Sequence, residues 1–497
     1  SIGGSAVRAR CNDQVGVADG GADDVIGLIE FTRGVDYFDY DGDCDLTEQR
    51  AHPFGEIYHS ELIVVGAPNA ETSFRSANQE AYWRHLNNYV NFFKIPNENR
   101  PKVIYVGSNS GALHAINATN GQELWAFVPP FIAAKLPQIV NVNLNSDTGG
   151  GSNAIYGVDG SPTVHDMYFR HPITNTEEWA TILMIPYGRG GAGFSVLDIT
   201  TPENPLHLYS VFNDQNSHKV HYVDHMGTFS AWDYISPIYN LAQFKEAKLA
   251  QRQAALGNTD KTCGSDIDPE TGDLSSTCYK SSLWTLPIKN ATADDITITK
   301  DGENFEGFFV FSDGFDTKIS FSQDITYQAD NALSEQSNSI VVRVTQDSLI
   351  LGVQDDVGKL YDYSTLGETW SSPRIFRMPN TDAPDDNTLD DIYVAVMGAG
   401  KSSANPFIGN SVFVINLEDP TNPGKIESKI SIVDDLSNGV VASTPATPTV
   451  ITPDTGTSGI RFRGALVYQP DYEGKITKIN LTNMKCDNGA LSGNCPQ

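Results

Sequence analysis

Residues 101–130 read PKVIYVGSNSGALHAINATNGQELWAFVPP. Val103–Val106 is a short β-branched and aromatic run, Gly107-Ser108-Asn109-Ser110-Gly111 is a turn, and Ala112–Ile116 is a second strand. Asn117-Ala118-Thr119-Asn120-Gly121 is a second turn with an Asn-Gly corner, and Glu123–Val128 is a third strand carrying Trp125 and Phe127. Gly and Asn accept the left-handed backbone that tight hairpins require. Three short strands joined by such turns therefore predict an antiparallel meander, which is most of one β-propeller blade. Read as sequence, the stretch holds no carboxylate pair, metal set or nucleophile and is assigned to scaffold.

Strand-sized runs with the same punctuation continue outward from it. Gly157–Val164, Ala180–Pro186, Gly193–Asp198 and His207–Phe212 would build a second blade; Phe305–Ser312, Ser348–Val353 and Gly358–Tyr363 follow an interruption. Asp391–Met397, Ser411–Leu417, Ala446–Ile451, Gly464–Gln469 and Lys475–Leu481 complete the series. IYVGSNSGALHAIN, MIPYGRGGAGFSVLDIT, LGVQDDVGKLYDYS and VYQPDYEGKITKINLT each run strand, Gly-containing turn, strand. Degenerate recurrence of one supersecondary unit is what stacked blades predict. The expected fold is all-β, a modified β-propeller over residues 51–497, preceded by an extended, loop-rich segment over residues 1–50.

Two insertions are expected. Ala77–Phe93 places Trp83, Leu86, Val90 and Phe93 at helical spacing, which predicts a helix packed on the first blade. Residues 214–300 break the strand rhythm. Asn240–Leu256 is rich in helix formers and stops at Gly257, and the region's apolar content is too low to suggest a core of its own.

The charge balance narrows the partners. Lys+Arg number 33 against 62 Asp+Glu, a formal net charge of −29, which argues against nucleic acid and anionic membrane surfaces. It suits a solvated extracellular surface or divalent cations. No run of about 18 apolar residues is present to span a membrane, and the start, SIGGSAVRARC, lacks a basic-then-apolar leader. Six cysteines form plausible local pairs, Cys11/Cys44, Cys263/Cys278 and Cys486/Cys495, with no C-x-x-C among them. Three disulfides would imply periplasm or extracellular space; free thiols in a reducing compartment are the alternative.

The strongest metal candidate is Asp39-Tyr40-Asp41-Gly42-Asp43-Cys44-Asp45-Leu46-Thr47-Glu48. Calcium takes six to eight oxygen ligands, and an EF-hand loop draws them from positions 1, 3, 5, 7, 9 and 12. Asp39, Asp41 and Asp43 fill positions 1, 3 and 5, and Asp45 stands where a backbone carbonyl is used. Cys44 replaces the usual Gly at position 6 and Arg50 the usual Glu at 12, so Glu48 or a distant residue must complete the shell; a merely solvated acidic loop is the other reading. Asp266, Asp268, Glu270 and Asp273 form a weaker calcium candidate within the Cys263–Cys278 loop.

Other strings read as structure. His218-x-x-His221-x-x-Asp224-His225 shows no helical face to gather ligands and reads as an exposed insertion loop. Gly188-x-Gly190-x-x-Gly193 and Gly398-Ala399-Gly400-Lys401-Ser402 imitate nucleotide loops but lack the helix whose N-terminus would hold phosphate. Both read as blade turns. No Ser/His/Asp arrangement stands out.

GEIYHSELIVVG (55–66), IYVGSNSGALHAINATNGQELWAFVP (104–129), YGVDGSPTV (156–164), GRGGAGFSVLDIT (188–200), LGETWSSP (366–373) and VYQPDYEGKITKINLTN (467–483) occur in this order. Together they resemble the C-terminal propeller of PilY-type proteins of type IV pili. That resemblance implies a seven-bladed, quinoprotein-like modified propeller with helical and loop insertions and no enzymatic activity. It implies export through the periplasm to the pilus tip at the cell surface, and roles in pilus assembly and adhesion. Minor pilins or other tip subunits, a host or abiotic surface receptor and the N-terminal domain of its own precursor would be the partners. The family's calcium loop before the last strands corresponds to residues 451–470 here, where Asp454 is the only carboxylate. A quinoprotein dehydrogenase and an extracellular binding propeller unconnected with pili are the alternatives.

Overall fold

The computed structural model describes residues 22–37, 43–51, 53–140, 155–235, 238–240, 278–286, 291–300, 302–312, 317–328, 340–344, 352–380, 389–402, 408–432, 443–455 and 461–483. These form two compact units, one built from residues up to Trp232 with Asp355–Ile432 and the chain from Ala442 onward, the other within Asp233–Gln354. Strand dominates both, as an all-β fold requires.

The first unit holds four antiparallel sheets in chain order. The opening stretch supplies three strands of the first sheet, Val103–Gly107, Leu113–Asn117 and Glu123–Phe127, with Ile63–Val65 added at the edge. Thr163–Arg170, Glu177–Pro186, Gly193–Asp198, Leu206–Asp214, Lys219–Asp224 and Phe229–Asp233 make the second. Arg374–Met378, Ile392–Gly398, Ser411–Asn416 and Ile426–Ser431 make the third, and Thr449–Ile451, Gly464–Pro470 and Ile476–Thr482 the fourth. Every strand pairs with its sequence neighbour, the meander the turns predict. Ile392–Gly398 and Ser411–Asn416 are buried along their whole length, so both faces of the third sheet are covered there.

Adjacent sheets share their cores. Val103, Tyr105 and Leu113 of the first sheet pack with Leu183, Ile185 and Leu197 of the second. Val394, Val396, Val412 and Val414 of the third pack with Ala465, Val467, Ile479 and Leu481 of the fourth. Each such side chain contributes roughly 1.5–3 kcal/mol by leaving water.

A repeated device closes the strand ends. Ser60 Oγ accepts the N–H of Gly107 (2.9 Å), Thr369 Oγ1 that of Tyr187 (2.9 Å), Ser371 Oγ that of Gly398 (2.9 Å) and Thr444 Oγ1 that of Ala399 (2.8 Å). These hydroxyls accept from N–H groups at the strand ends; the Tyr187 and Ala399 N–H groups are shared with Gly193 O (3.0 Å) and Ser411 O (2.8 Å). The backbone comes equally close: a Cβ on Gly107 would stand 2.2 Å from the Val158 carbonyl oxygen, and one on Gly398 2.1 Å from that of Thr444. This close approach is why glycine recurs after these strands. The Gly188 N–H donates to Thr369 O and the Gly400 N–H to Thr444 O, which links successive sheets. The two nucleotide-loop imitations are thus turns at strand ends, as read.

The expected helix over Ala77–Phe93 is shorter. It runs Glu80–Leu86, breaks at Asn88 (φ 53°) and resumes as a π turn at Val90–Lys94. The break rotates the apolar face: Leu86 and Val90 are exposed, while Tyr89 and Phe93 are buried against Trp179 and Tyr168 of the second sheet. The helical segment therefore packs on the second sheet, where the first was expected. A further helix, Ala22–Thr32, lies where an extended segment was expected.

The second unit has a core of its own. Ile238–Asn240, Ile340–Val344, Ile296–Lys300 and Glu303–Asn304 form one sheet, and Cys278–Leu286, Thr317–Gln328 and Phe308–Ser312 another. Ile296, Ile298, Val342 and Val344 of the first bury against Ile319 and Phe321 of the second. The expectation of a coreless insertion over residues 214–300 is corrected at both ends. Residues to Asp224 continue the second sheet, and the missing apolar material is supplied by strands beyond 300. The Asn240–Leu256 helix lies outside the described residues, apart from Asn240, which ends a strand.

Candidate functional site: a serine–histidine–glutamate relay on the first sheet

The turn between the first two strands of the opening stretch is tight. The Ser108 N–H donates to Ala112 O (2.9 Å), the Gly111 N–H donates to Ser108 O (3.2 Å), and Gly111 adopts φ 96°. This folding carries Ser108 and Ser110 back over His114, on the second strand. A register shift between the second and third strands pairs Ala115 with Trp125 but Ile116 with Glu123, so the chain bulges at Leu124. Bulges re-aim side chains, and here Glu123 reaches His114.

The result is a hydrogen-bonded series. His114 Nδ1 lies 2.5 Å from Glu123 Oε1, His114 Nε2 lies 2.8 Å from Ser108 Oγ, and Ser108 Oγ lies 2.5 Å from Ser110 Oγ. Ser110 Oγ is itself 3.5 Å from His114 Nε2. Chemistry orders the protons. The bond to His114 is the main cause holding the Glu123 carboxyl below its ordinary value, so it is ionised and can only accept. Nδ1 then carries the hydrogen to the carboxylate, and in the neutral imidazole Nε2 is the nitrogen that can accept from Ser108. Ser108 Oγ also lies 3.4 Å from Ala112 O, a second acceptor for its hydrogen.

Ser108 and His114 are buried, and Phe54 covers the imidazole with its ring centroid 4.1 Å away. Ser110, His114 and Glu123 line a cavity of about 700 Å³ that is also lined by Val25, Leu28 and Ile29 of the helix Ala22–Thr32. The stretch read as scaffold thus also carries a hydrogen-bonded polar series beside a cavity. No motif spacing betrays the series, because a turn and a bulge assemble it; the one available signal is a polar GSNSG turn ending three residues before a histidine in an apolar strand.

A second polar cluster is buried where the helix Glu80–Leu86 meets the second, third and fourth sheets. Glu80 Oε1 receives Arg84 Nη2 (2.7 Å), His165 Nε2 (2.8 Å) and the Tyr393 hydroxyl (3.2 Å). Burial would raise its pKa, but His165 and Arg84 outweigh that and bring it to about 2. Arg377 stacks over Trp83, 3.7 Å from the ring centroid, and bonds Asp391 O. Asp454 accepts the N–H groups of Glu80 (3.0 Å) and Ala81 (3.3 Å). The lone carboxylate of residues 451–470 is thus engaged by a helix N-terminus.

Of the calcium candidates, Asp43, Asp45 and Glu48 are described, while Asp39 and Asp41 lie outside the described residues. The Asp45 N–H donates to Asp43 Oδ1 (2.7 Å), and Asp45 Oδ1 accepts from Thr47 N–H (3.0 Å) and Oγ1 (2.7 Å). Cys44, at the template's glycine position, adopts φ 66°, the left-handed backbone that glycine serves there. It is disulfide-bonded, a constraint that can hold such a backbone; Cys11, its expected partner, lies outside the described residues. So do Asp266, Asp268, Glu270, Asp273, Cys263, Cys486 and Cys495; Cys278 begins a strand. Among the described residues no three His, Cys, Asp or Glu side chains gather with metal-binding geometry. His221 and Asp224, read as part of an exposed loop, lie on the strand Lys219–Asp224 of the second sheet.

Sequential meander sheets, tied strand end to strand end, place the chain in the class of all-β, propeller-like proteins. No protein-family model matches it. Sequence relatives do: a type IV pilus biogenesis factor PilY1 homolog of Xylella fastidiosa is 34% identical over 157 residues, 31% of this chain. The type IV pilus biogenesis factor PilY1 of Pseudomonas aeruginosa is 31% identical over 189 residues, 38% of this chain. The matched stretches span 11% and 14% of those proteins. The crystal structure of the Pseudomonas aeruginosa PilY1 C-terminal domain aligns over 86% of this chain and 76% of its own, at 16% identity and a TM-score of 0.22. The chain is related in sequence to the PilY-type proteins of type IV pili.

Proposed function

We propose that this chain is the propeller-like part of a type IV pilus tip protein that supports pilus assembly and surface adhesion. The sequence relation to PilY1 proteins carries the reading. In it the sheets complete a seven-bladed, quinoprotein-like frame, and the pilus role itself calls for binding without turnover. Minor pilins or other tip subunits contact one side, a host or abiotic surface the other, and an N-terminal domain of the precursor completes the protein. Export through the periplasm places it outside the cell, consistent with the disulfide at Cys44. None of the described helices is long and apolar enough to cross a membrane.

Calcium is part of the proposal. Asp39, Asp41, Asp43 and Glu48 would supply carboxylate oxygens and Asp45 its carbonyl, so the engagement of the Asp45 side chain with Thr47 does not conflict with the template. The left-handed Cys44 supports this reading. Bound calcium would neutralise carboxylates at alternate positions and stiffen the loop. Shearing pili from cells and probing the fractions tests the pilus role: the protein is expected with the pili, and recovery only in the soluble medium would overturn it.

A further inference from the structure

The cavity beside the first sheet has the parts of a reactive site that neither the pilus role nor the resemblance calls for. Its polar end is the series Ser110–Ser108–His114–Glu123, with consecutive separations of 2.5, 2.8 and 2.5 Å. A nucleophile needs a base within reach and a third group that orients the base. Here the imidazole presents Nε2 to the hydroxyls and Nδ1 to the carboxylate, the arrangement that leaves Nε2 free to take a proton. Ser110 ends the series on the cavity wall, whereas Ser108 is buried beneath it. Val25, Leu28, Ile29 and Leu136 supply aliphatic lining beside Thr32, Arg33 and Gln49, with Val25 and Ile29 partly exposed.

We propose that Ser110 is a nucleophile toward small esters with a short aliphatic acyl chain, the chain lying on the Val25–Ile29 side. The Ser110 Oγ–acyl carbon bond forms as the ester carbon–alkoxy bond breaks. The Ser110 proton passes to His114 Nε2, directly or by exchange through Ser108, and from there to the departing alkoxide, which leaves as the alcohol. Water then attacks the acyl-serine, gives its proton to His114, and releases the carboxylic acid as Ser110 recovers its hydrogen. Glu123 is a positioning residue that holds the imidazole tautomer throughout.

The test uses the full chain with a short-alkyl fluorophosphonate and, separately, p-nitrophenyl butyrate. One adduct mapping to Ser110 by peptide mass spectrometry is expected in the unaltered protein, so the result does not depend on a variant folding. Ser110→Ala should lose the adduct, and His114→Ala should slow p-nitrophenol release about 100-fold, the scale of general base catalysis. Glu123→Gln should shift the pH profile of labelling, which a merely structural role would leave in place. Absence of an adduct, or an adduct at another residue, overturns the proposal. So does equal labelling of Ser110→Ala that melts as the unaltered protein does.

Discussion

Asp454 caps a helix that lies 374 residues away in sequence, its carboxylate oxygens 3.0 and 3.3 Å from the backbone nitrogens of Glu80 and Ala81. The helix's own N-cap residue, Gln79, makes no side-chain cap bond, so a residue beside the fourth sheet does that work. Removing it exposes two orphan donors at a partly buried helix start. Asp454→Ala should destabilise the protein by about 0.5–2 kcal/mol, read as a lower denaturant midpoint at unchanged slope. An unchanged midpoint would remove the cap from the account.

Glu80 and Glu418 should tilt stability in opposite directions with pH. Glu80 is held at about 2 in the fold against an ordinary 4.5, because His165 and Arg84 outweigh its burial. Its contribution is present above about pH 4.5 and is lost as pH falls toward 2, on the order of 3 kcal/mol. Glu80→Gln should flatten that acid limb in chemical unfolding titrations.

Glu418 is pushed up to about 7 by burial, although Arg377 and the Tyr393 N–H, which it accepts at 3.0 Å, pull the other way. The fold therefore prefers its protonated form, and stability present below about pH 4.5 is lost as pH rises through 7. Glu418→Gln, which cannot ionise, should remove this decline between pH 5 and 8. A decline of the same size in the variant would assign it elsewhere.

Gly398 tests the strand-end device. A Cβ there would meet the Thr444 carbonyl oxygen at 2.1 Å, with backbone on both sides of the clash. Gly398→Ala should cost about 1–3 kcal/mol, as overpacking does, whereas Gly474→Ala meets nothing within 4 Å and suffers only its positive φ of 84°. Thermal melts of the two variants side by side separate contact from conformation.

The acidic loop makes a metal-dependent prediction. Calcium removal with EGTA should lower the melting temperature of the unaltered protein, and Asp41→Ala should abolish that difference. Equal shifts in both proteins would remove the site.

Much of the frame was legible because strand and turn signals are local. The opening stretch, the glycine turns and the meander order follow from residues within a few positions of one another, and the structure pairs the first unit's strands as neighbours, although the run expected as a strand at Gly358–Tyr363 starts in the helix Asp356–Leu360. The helix over residues 77–93 was legible as a helix but not in its packing. Periodicity assumed an unbroken helix, and past Asn88 at φ 53° Tyr89 is buried beside the expected Phe93 while Leu86 and Val90 are exposed. The core of residues 233–354 escaped because its members are spread from Ala291 to Val344, each run too short to signal a core alone.

The amino-acid sequence by itself determined an acidic, strand-rich chain with a propeller-like repeat and a kinship to PilY-type pilus proteins. Those properties depend on composition, local periodicity and ordered motifs. Only the tertiary structure decided that Asp454 serves a distant helix and that Ser110, Ser108, His114 and Glu123 form one hydrogen-bonded series. The reason is geometric: a side chain's partner is set by turns, bulges and sheet packing. A one-residue shift of register at Leu124 is enough to bring a carboxylate to an imidazole nine positions away.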